Sequence, residues 1–304
     1  MGIKIRKTAS YLPEKVVDNF YFESILDTSD DWISSRTGIK QRHFVEDNGI
    51  LDLIEKSITN LNLSQDEIQR VKTIIVVTCT TSYAIPNLAS LVQEKFAFGE
   101  DTYSLDINMG CSGFVAGLKL VEGIIGKGEY ALLIGAEVLS KIIDFTDRNT
   151  AVLFGDGAGA VLLEYSKKTS MFSSGTRGNK SVLGYGHLTE GLHMEGREVY
   201  RFAVTTMDKS IKSFLENNGI NKEDIDFFIS HQANIRIIEN LAKNLDESMD
   251  KFPSNIAKTG NTSSASIPIL LDELNKEGKL KPGNKILFLA FGAGLTWALA
   301  YLEW

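Results

Sequence analysis

The same order of local patterns runs through this chain twice, and that repeat restricts the fold more than any other feature. Residues 52–61 carry apolar side chains at helical spacing, and Ser64-Gln-Asp-Glu67 then has the residues of a capping box. An apolar, β-branched run follows, Thr73-Ile-Ile-Val-Val-Thr78. In the second half, residues 208–217 are the helical stretch, Asn221-Lys-Glu-Asp224 is the cap-like turn and Asp226-Phe-Phe-Ile-Ser230 is the strand. A second pair of apolar runs matches further on, Ala131-Leu-Leu-Ile-Gly135 and Lys285-Ile-Leu-Phe-Leu289. Each half closes on a similar phrase, Phe154-Gly-Asp-Gly-Ala-Gly159 in one and Phe291-Gly-Ala-Gly294 in the other. One α/β unit, duplicated and fused, accounts for this order. The halves are read as residues 1–170 and 171–304, joined through a polar stretch over 166–180. Apolar strands alternating with amphipathic helices imply sheets covered on both faces. Strand-to-helix junctions of the two halves can then meet at a shared interface, and a site there can draw residues from each.

Composition excludes several classes of function. A chain of 304 residues has room for about two domain-sized units. Its net charge of −7 argues against general nucleic-acid binding, though a local basic patch for an acidic partner remains open. Cys79 and Cys111 are the only cysteines, which gives no disulfide framework and points to a reducing, cytoplasmic compartment. The first seven residues lack the apolar core of a signal peptide. The most apolar stretch, residues 286–302, is broken by glycines and fits buried strands around a turn, so no membrane span is expected. Four histidines that do not cluster with cysteines or carboxylates give no expectation of a metal.

Three junctions carry polar chemistry. Cys111 lies between Gly110 and Gly113, where the run Tyr103-Ser-Leu-Asp-Ile107 gives way to Phe114, Leu118, Val121 and Ile125 at helical spacing. A thiol at a helix N-terminus meets the positive end of the macrodipole, which favours thiolate; a lone cysteine beside glycines fits a small core residue equally well. The second junction is Ser230-His231-Gln-Ala-Asn-Ile-Arg236, directly after a strand. The third is Lys258-Thr-Gly-Asn261-Thr-Ser-Ser-Ala265, leading into a helix that tolerates Pro268 in its first turn. Taken singly, His231 fits a satisfied core histidine and Asn261 a Gly-Asn turn.

Together these junctions resemble the Cys-His-Asn triad of the β-ketoacyl-acyl carrier protein synthases III, in the thiolase superfamily. Further blocks are similar to that family: Thr28-Ser-Asp-Asp-Trp-Ile-Ser-Ser-Arg-Thr-Gly-Ile39, Asp147-Arg-Asn-Thr150 with Phe154-Gly-Asp-Gly-Ala-Gly159, and Phe291-Gly-Ala-Gly-Leu-Thr-Trp297. The resemblance runs in register along the whole chain. It implies a thiolase-like α/β fold, a duplicated five-layered αβαβα architecture. It also implies decarboxylative condensation of an acyl-CoA primer, acetyl-CoA or a short branched acyl-CoA, with malonyl-acyl carrier protein. The product is a 3-oxoacyl-acyl carrier protein that starts fatty acid synthesis. By resemblance Cys111 is the nucleophile that carries the acyl group, and the backbone N–H groups of Cys111 and Ala293 form the oxyanion hole. His231 and Asn261, as uncharged donors, hold the enolate oxygen left by decarboxylation. No cofactor is expected, coenzyme A thioester being substrate.

Trp32 and Arg36, four residues apart on a short predicted helix ending at Gly38, share a face that suits an adenine ring and phosphates. By resemblance they line the coenzyme A entrance with Thr28 and Arg148, and the pantetheine path passes Gly196 and Asn234. An acidic carrier protein needs a basic docking patch on this acidic chain. Arg236 is the leading candidate, with Gln232, Lys209, Lys212 and Lys258. The family implies a homodimer in which the loop before Pro86 reaches the partner's acyl pocket. Ile85 stands where acetyl-preferring members often have phenylalanine, which leaves room for a longer or branched primer. The competing readings are a specialised relative of secondary metabolism, a non-catalytic acyl-CoA-binding protein and a cysteine protease. Keeping both His231 and Asn261 favours decarboxylating condensation over simple acyl transfer, the intact triad disfavours a non-catalytic protein, and nothing suggests the peptide cleft a protease needs.

Overall fold

Strand order repeats as the sequence does. In the computed structural model, which describes residues 2–47, 49–186 and 190–304, the first sheet has five strands. Their order is Gly2–Tyr11, Gly157–Ser166, Tyr130–Glu137, Val71–Val77, Tyr103–Ile107. The second sheet has four, in the order Met171–Thr176, Thr296–Glu303, Lys285–Gly292, Phe227–Ser230. Reading across either sheet, the first two pairings are antiparallel and the third is parallel. The first sheet then adds one more parallel edge strand, Tyr103–Ile107.

Alternation along the strands builds the layers. In the strand Val71–Val77, Ile74 and Val76 face outward, where they meet Leu53, Ile54 and Ile58 of the helix Ile50–Asn60 and Val92 of the helix Leu88–Lys95. Ile75 and Val77 face inward, onto the helices Gly113–Ile124 and Ser266–Lys276. These two helices fill the middle layer through Phe114, Leu118, Val121, Ile267, Leu270 and Leu274. The inward face of the second sheet, Ile286, Phe288 and Ala290, closes on the same cluster. Its outward face, Leu287, Leu289 and Phe291, packs against the helices Gly196–Asn218 and Ile235–Leu245. The result is helix, sheet, helix, sheet, helix, as the five-layered reading requires.

The capping box at Ser64 is present in full. Its side chain accepts from Glu67 N–H while the Glu67 carboxylate accepts from Ser64 N–H. Two local expectations need correction. The polar stretch 166–180 is not only a connection, since Met171–Thr176 pairs antiparallel with Thr296–Glu303 as the edge of the second sheet. Edge strands face solvent and carry polar residues, and that composition conceals the strand. The helix expected over 208–217 begins at Gly196, because Phe202, Ala203 and Met207 extend the buried stripe of Ile211, Phe214 and Leu215 toward the N-terminus.

Candidate active site

Two of the three junctions follow a strand, the third lies between two helical segments, and all three line one cavity of about 1230 Å³ between the halves. Cys111 sits in the 3₁₀ turn Gly110–Ser112 that leads into the helix Gly113–Ile124. His231 follows the strand Phe227–Ser230, and its N–H donates to Leu289 O at 2.7 Å, continuing the parallel ladder by one residue. Asn261 belongs to an isolated bridge with Phe154 of the first half. Its N–H donates to Leu153 O at 2.9 Å, and its carbonyl accepts from Gly155 N–H at 3.0 Å. Two glycines allow this convergence. A Cβ at Gly292 would stand 2.7 Å from Cys111 Cβ, and one at Gly135 would stand 2.4 Å from Ser264 O.

Burial sets the charge states. The Cys111 thiol is pushed up to about 11, by desolvation first. The Ser263 hydroxyl and the backbone N–H groups of Cys111 and Ala293 pull the other way, and the Glu137 carboxylate raises it further. A helix terminus favours thiolate, but burial holds the Cys111 thiol protonated in the resting site. Desolvation also pushes the His231 imidazole down to about 3, so the ring is neutral at physiological pH. Its Nδ1 lies 2.7 Å from Ser266 Oγ, which also accepts from Gln232 N–H at 3.3 Å. In the tautomer that carries its proton on Nε2, the Ser266 hydroxyl donates to Nδ1 and the Nε2–H is the ring's free donor. The Asn261 amide is fixed in the same way. Its Oδ1 accepts from Ser263 N–H at 2.9 Å, leaving the NH₂ to face outward as a donor.

The remaining residues read from sequence separate into groups. Trp32 and Arg36, on the helix Asp30–Thr37, line the cavity with Gly196, Asn234 and Ala293. Arg148 stacks its guanidinium 4.5 Å from the Trp32 ring and donates to Asp27 O at 2.6 Å. Asn234 Nδ2 donates to Arg36 O at 3.0 Å, and Arg236 Nε donates to Ser35 O at 3.1 Å. Both bonds tie the mouth of one half to the His231 loop of the other. Thr28 lies outside the cavity lining, and its buried Oγ1 has no hydrogen-bond partner. Ala293 is not among the residues with positive φ, so an alanine there leaves the backbone unstrained.

Two expectations change. Gln232 is fully buried; its side chain donates to Ser230 O at 2.8 Å and accepts from Ser254 Oγ at 2.6 Å. It cannot touch a docked carrier. Lys209, Lys212 and Lys258 are exposed, but Lys212 is paired with Asp208 at 2.8 Å and Lys258 with Glu273 at 3.1 Å. Ile85 is 89% exposed and stands outside the cavity of its own protomer. Among the described residues, no three His, Cys, Asp or Glu side chains gather where they could hold a metal ion, and no helix is long and apolar enough to cross a membrane.

Two residues of the site escape the sequence reading. Ser263 lines the cavity beside Cys111 and aims Asn261 through its N–H. Glu137, a completely buried carboxyl at the end of the strand Tyr130–Glu137, accepts from side chains of both halves. The available signal is a lone acid closing an otherwise apolar run.

Comparison with known proteins bears on this geometry directly. The family model for 3-oxoacyl-[acyl-carrier-protein] synthase III matches residues 105–179, and its C-terminal model matches residues 215–304. The chain is 44% identical to a β-ketoacyl-[acyl-carrier-protein] synthase III of Clostridium acetobutylicum, over 100% of this chain and 99% of that one. Among solved structures, the 3-oxoacyl-[acyl-carrier-protein] synthase III of Aquifex aeolicus superimposes with a TM-score of 0.91 at 40% identity, covering 100% of both chains. That of Thermus thermophilus superimposes with a TM-score of 0.94 at 37% identity, covering 100% of this chain and 99% of the other.

Proposed function

The chain belongs to the 3-oxoacyl-[acyl-carrier-protein] synthase III family, and from that premise we propose how its own residues divide the reaction. The enzyme is an acyltransferase of the condensing type. It joins an acyl-CoA primer to malonyl-acyl carrier protein with loss of CO₂, the step that starts fatty acid synthesis.

Cys111 attacks the thioester carbonyl and keeps the acyl group. The N–H groups of Cys111 and Ala293, both at the cavity lining, hold the carbonyl oxygen as it gathers charge. Coenzyme A leaves. Malonyl carrier then loses CO₂, and its enolate oxygen is held by His231 Nε2–H and the Asn261 NH₂. A neutral imidazole suits this role, because it donates without being a strong enough acid to quench the enolate. The enolate carbon attacks the acyl-Cys111 carbonyl, and collapse expels the cysteine. The observation that supports this division is the buried, neutral His231 ring lining the cavity beside an Asn261 whose Oδ1 is already engaged by Ser263 N–H.

At the mouth, adenine stacks on Trp32 while Arg36 and Arg148 meet the phosphates. Arg236, exposed beside this entrance, is the leading contact for an acidic carrier, with Lys209 beyond it and Lys212 and Lys258 partly spent on their carboxylates. A homodimer is supported by the open edge of Tyr103–Ile107, where Tyr103, Leu120 and Ile124 are exposed. Ile85 projects far enough to enter a second copy, and its modest size favours a primer longer or more branched than acetyl.

Intact-protein mass spectrometry against a panel of acyl-CoAs tests the reading. The wild type gains one acyl mass, and Cys111→Ala gains none; acylation persisting in that variant removes Cys111 from the role. Equal turnover of acetyl- and isobutyryl-CoA, or a strong acetyl preference, counts against the role given to Ile85.

A further inference from the structure

The thiol proton needs a destination when Cys111 attacks. His231 is a poor one, because burial leaves its ring a weak base and its Nδ1 is engaged by Ser266. Another group is within reach. The Glu137 carboxyl is 0% exposed, and among the described residues no lysine or arginine forms an ion pair with it. Burying a carboxylate without a cation is costly, and such a group needs other donors. Here it has several. Thr80 Oγ1 donates at 2.7 Å, Ser264 Oγ at 2.7 Å, Cys79 N–H at 3.1 Å and Ser263 Oγ at 3.3 Å. Thr78 Oγ1 and the Cys79 thiol complete the ring, at 3.2 Å and 3.4 Å.

Ser263 lines the same cavity as the nucleophile. Its 3₁₀ turn, Ser263–Ala265, packs on the turn Gly110–Ser112 that holds Cys111, and its hydroxyl reaches Glu137 Oε1 at 3.3 Å. Its backbone is held at φ +48°, a left-handed conformation uncommon for serine, which sets its N–H on Asn261 Oδ1 at the same time. Strain of this kind at a buried active-site residue indicates a geometric requirement.

We propose that Ser263 and Glu137 form a proton station for Cys111, with Ser263 as relay and Glu137 as the store. The inference rests on the acyl-Cys111 reading above. In loading, the Cys111 S–H bond breaks and its proton passes to Ser263 Oγ, while the Ser263 proton passes to Glu137 Oε1. The sulfur forms its bond to the acyl carbon, the bond from that carbon to coenzyme A breaks, and the coenzyme A sulfur leaves with the electron pair and takes a proton from water. Glu137 stays protonated while the enzyme is acylated. In condensation, the enolate carbon bonds to the acyl carbon, and the Cys111–acyl bond breaks with its pair on sulfur. That sulfur recovers a proton from Ser263, and Ser263 recovers one from Glu137. The Cys111 proton is thus stored and returned with no other acid or base of the protein, and water supplies the proton that leaves on coenzyme A. Burial raises the affinity of Glu137 for a proton, which suits a store. The titratable groups facing it are Cys79 and Cys111, and Cys111 shares its cavity with His231.

The test separates the two steps in the full chain. Loading is followed by rapid-quench intact-mass measurement with acetyl-CoA. Decarboxylation is followed as CO₂ release from malonyl carrier in a Cys111→Ala background, where no thiol is needed. If the wild type forms no adduct at Cys111, the nucleophile reading fails before the relay is tested. Given that adduct, Glu137→Gln slows loading by about 10²-fold, and Ser263→Ala does the same, since each removes a proton acceptor. The acid limb of the loading pH profile, set by the Glu137 carboxyl, is lost in Glu137→Gln. Glu137→Gln combined with Cys111→Ala decarboxylates within about threefold of Cys111→Ala alone, a small share of a general-base effect. A purely electrostatic role predicts the opposite sign: removing a negative charge beside the thiol favours thiolate and speeds loading. Loading as fast as wild type, or faster, overturns the relay. Equal loss of loading and decarboxylation also overturns it, and assigns Glu137 to holding the Ser263 turn. If Glu137→Gln does not fold, Ser263→Ala decides, and unchanged loading in that variant overturns the proposal.

Discussion

The two halves share a frame and fill it with opposite chemistry. The strand Val71–Val77 corresponds in sheet position to Phe227–Ser230; Cys79 follows the first and His231 the second. The turn before the middle-layer helix Gly113–Ile124 holds Cys111, and the loop before its counterpart Ser266–Lys276 holds Asn261. The strand Tyr130–Glu137 ends in a carboxyl, whereas the matching strand Lys285–Gly292 ends in a glycine that makes room for the cysteine. In the proposed roles the first half supplies the thiol and the carboxyl that exchange a proton, through Ser263 of the second half. The other groups of the second half keep theirs: a neutral imidazole, an amide and a backbone N–H. A duplicated fold brings equivalent positions to one cavity, and divergence of the halves then separates bond-making from charge stabilisation.

Removing the nucleophile gives the largest break in this comparison. Cys111→Ala should lower condensation by about 10³-fold or more and abolish the acyl adduct. Slow CO₂ release from malonyl carrier should persist, because the donors of the second half are intact. Loss of decarboxylation together with loading would show that the halves do not act separately. The reverse experiment is nearly as large. His231→Ala or Asn261→Ala should cut condensation by about 10²- to 10³-fold, the usual cost of one oxyanion donor. The acyl adduct on Cys111 should still form within a few-fold of the wild-type rate, read by mass spectrometry after a single turnover.

This division is only partly legible in the sequence. The repeat is visible because buried strands are short apolar runs and because Phe154 and Phe291 open similar phrases. Cys111, His231 and Asn261 stand out as polar residues in glycine-rich junctions. The edge strand Met171–Thr176 is hidden because a solvent-facing edge has the composition of a loop. Gln232 is misleading because neighbouring positions in a loop can point to solvent or to the interior, and sequence does not say which. Glu137 and Ser263 escape for a different reason. Their importance lies in an arrangement made across the interface, joining residues 126 apart in the chain.

Acid stability sharpens the comparison at the level of folding. The His231 pKa lies near 3 in the folded protein against 6.5 in the ordinary imidazole, so the unfolded chain binds the proton more tightly. Its contribution is therefore complete above about pH 6.5 and is lost as pH falls toward 3, by up to about 5 kcal/mol. Glu137 has the opposite sign: its folded affinity for protons is raised, which favours the folded state at low pH. Denaturant melts between pH 7 and 4 should show falling stability in the wild type and a flatter dependence in His231→Asn. Equal slopes for the two would mean that water reaches the ring.

The smallest expected effect lies at the entrance, where both halves contribute to binding and neither to chemistry. Arg148 stacks on Trp32 at 4.5 Å within the first half, whereas Asn234 and Arg236 of the second half hold the carbonyls of Arg36 and Ser35. A cation–π contact at a partly exposed site contributes about 0.5–1 kcal/mol, and the adenine stack adds a similar amount. Trp32→Ala should then raise the KM for acyl-CoA about tenfold, and Arg148→Ala about fivefold, with kcat changed by less than about twofold. Such interactions hold substrate and transition state equally, so their loss appears in KM alone. A fall in kcat for either variant would place the entrance in the chemical step, and the separation between a binding mouth and a reacting interior would fail at its weakest point.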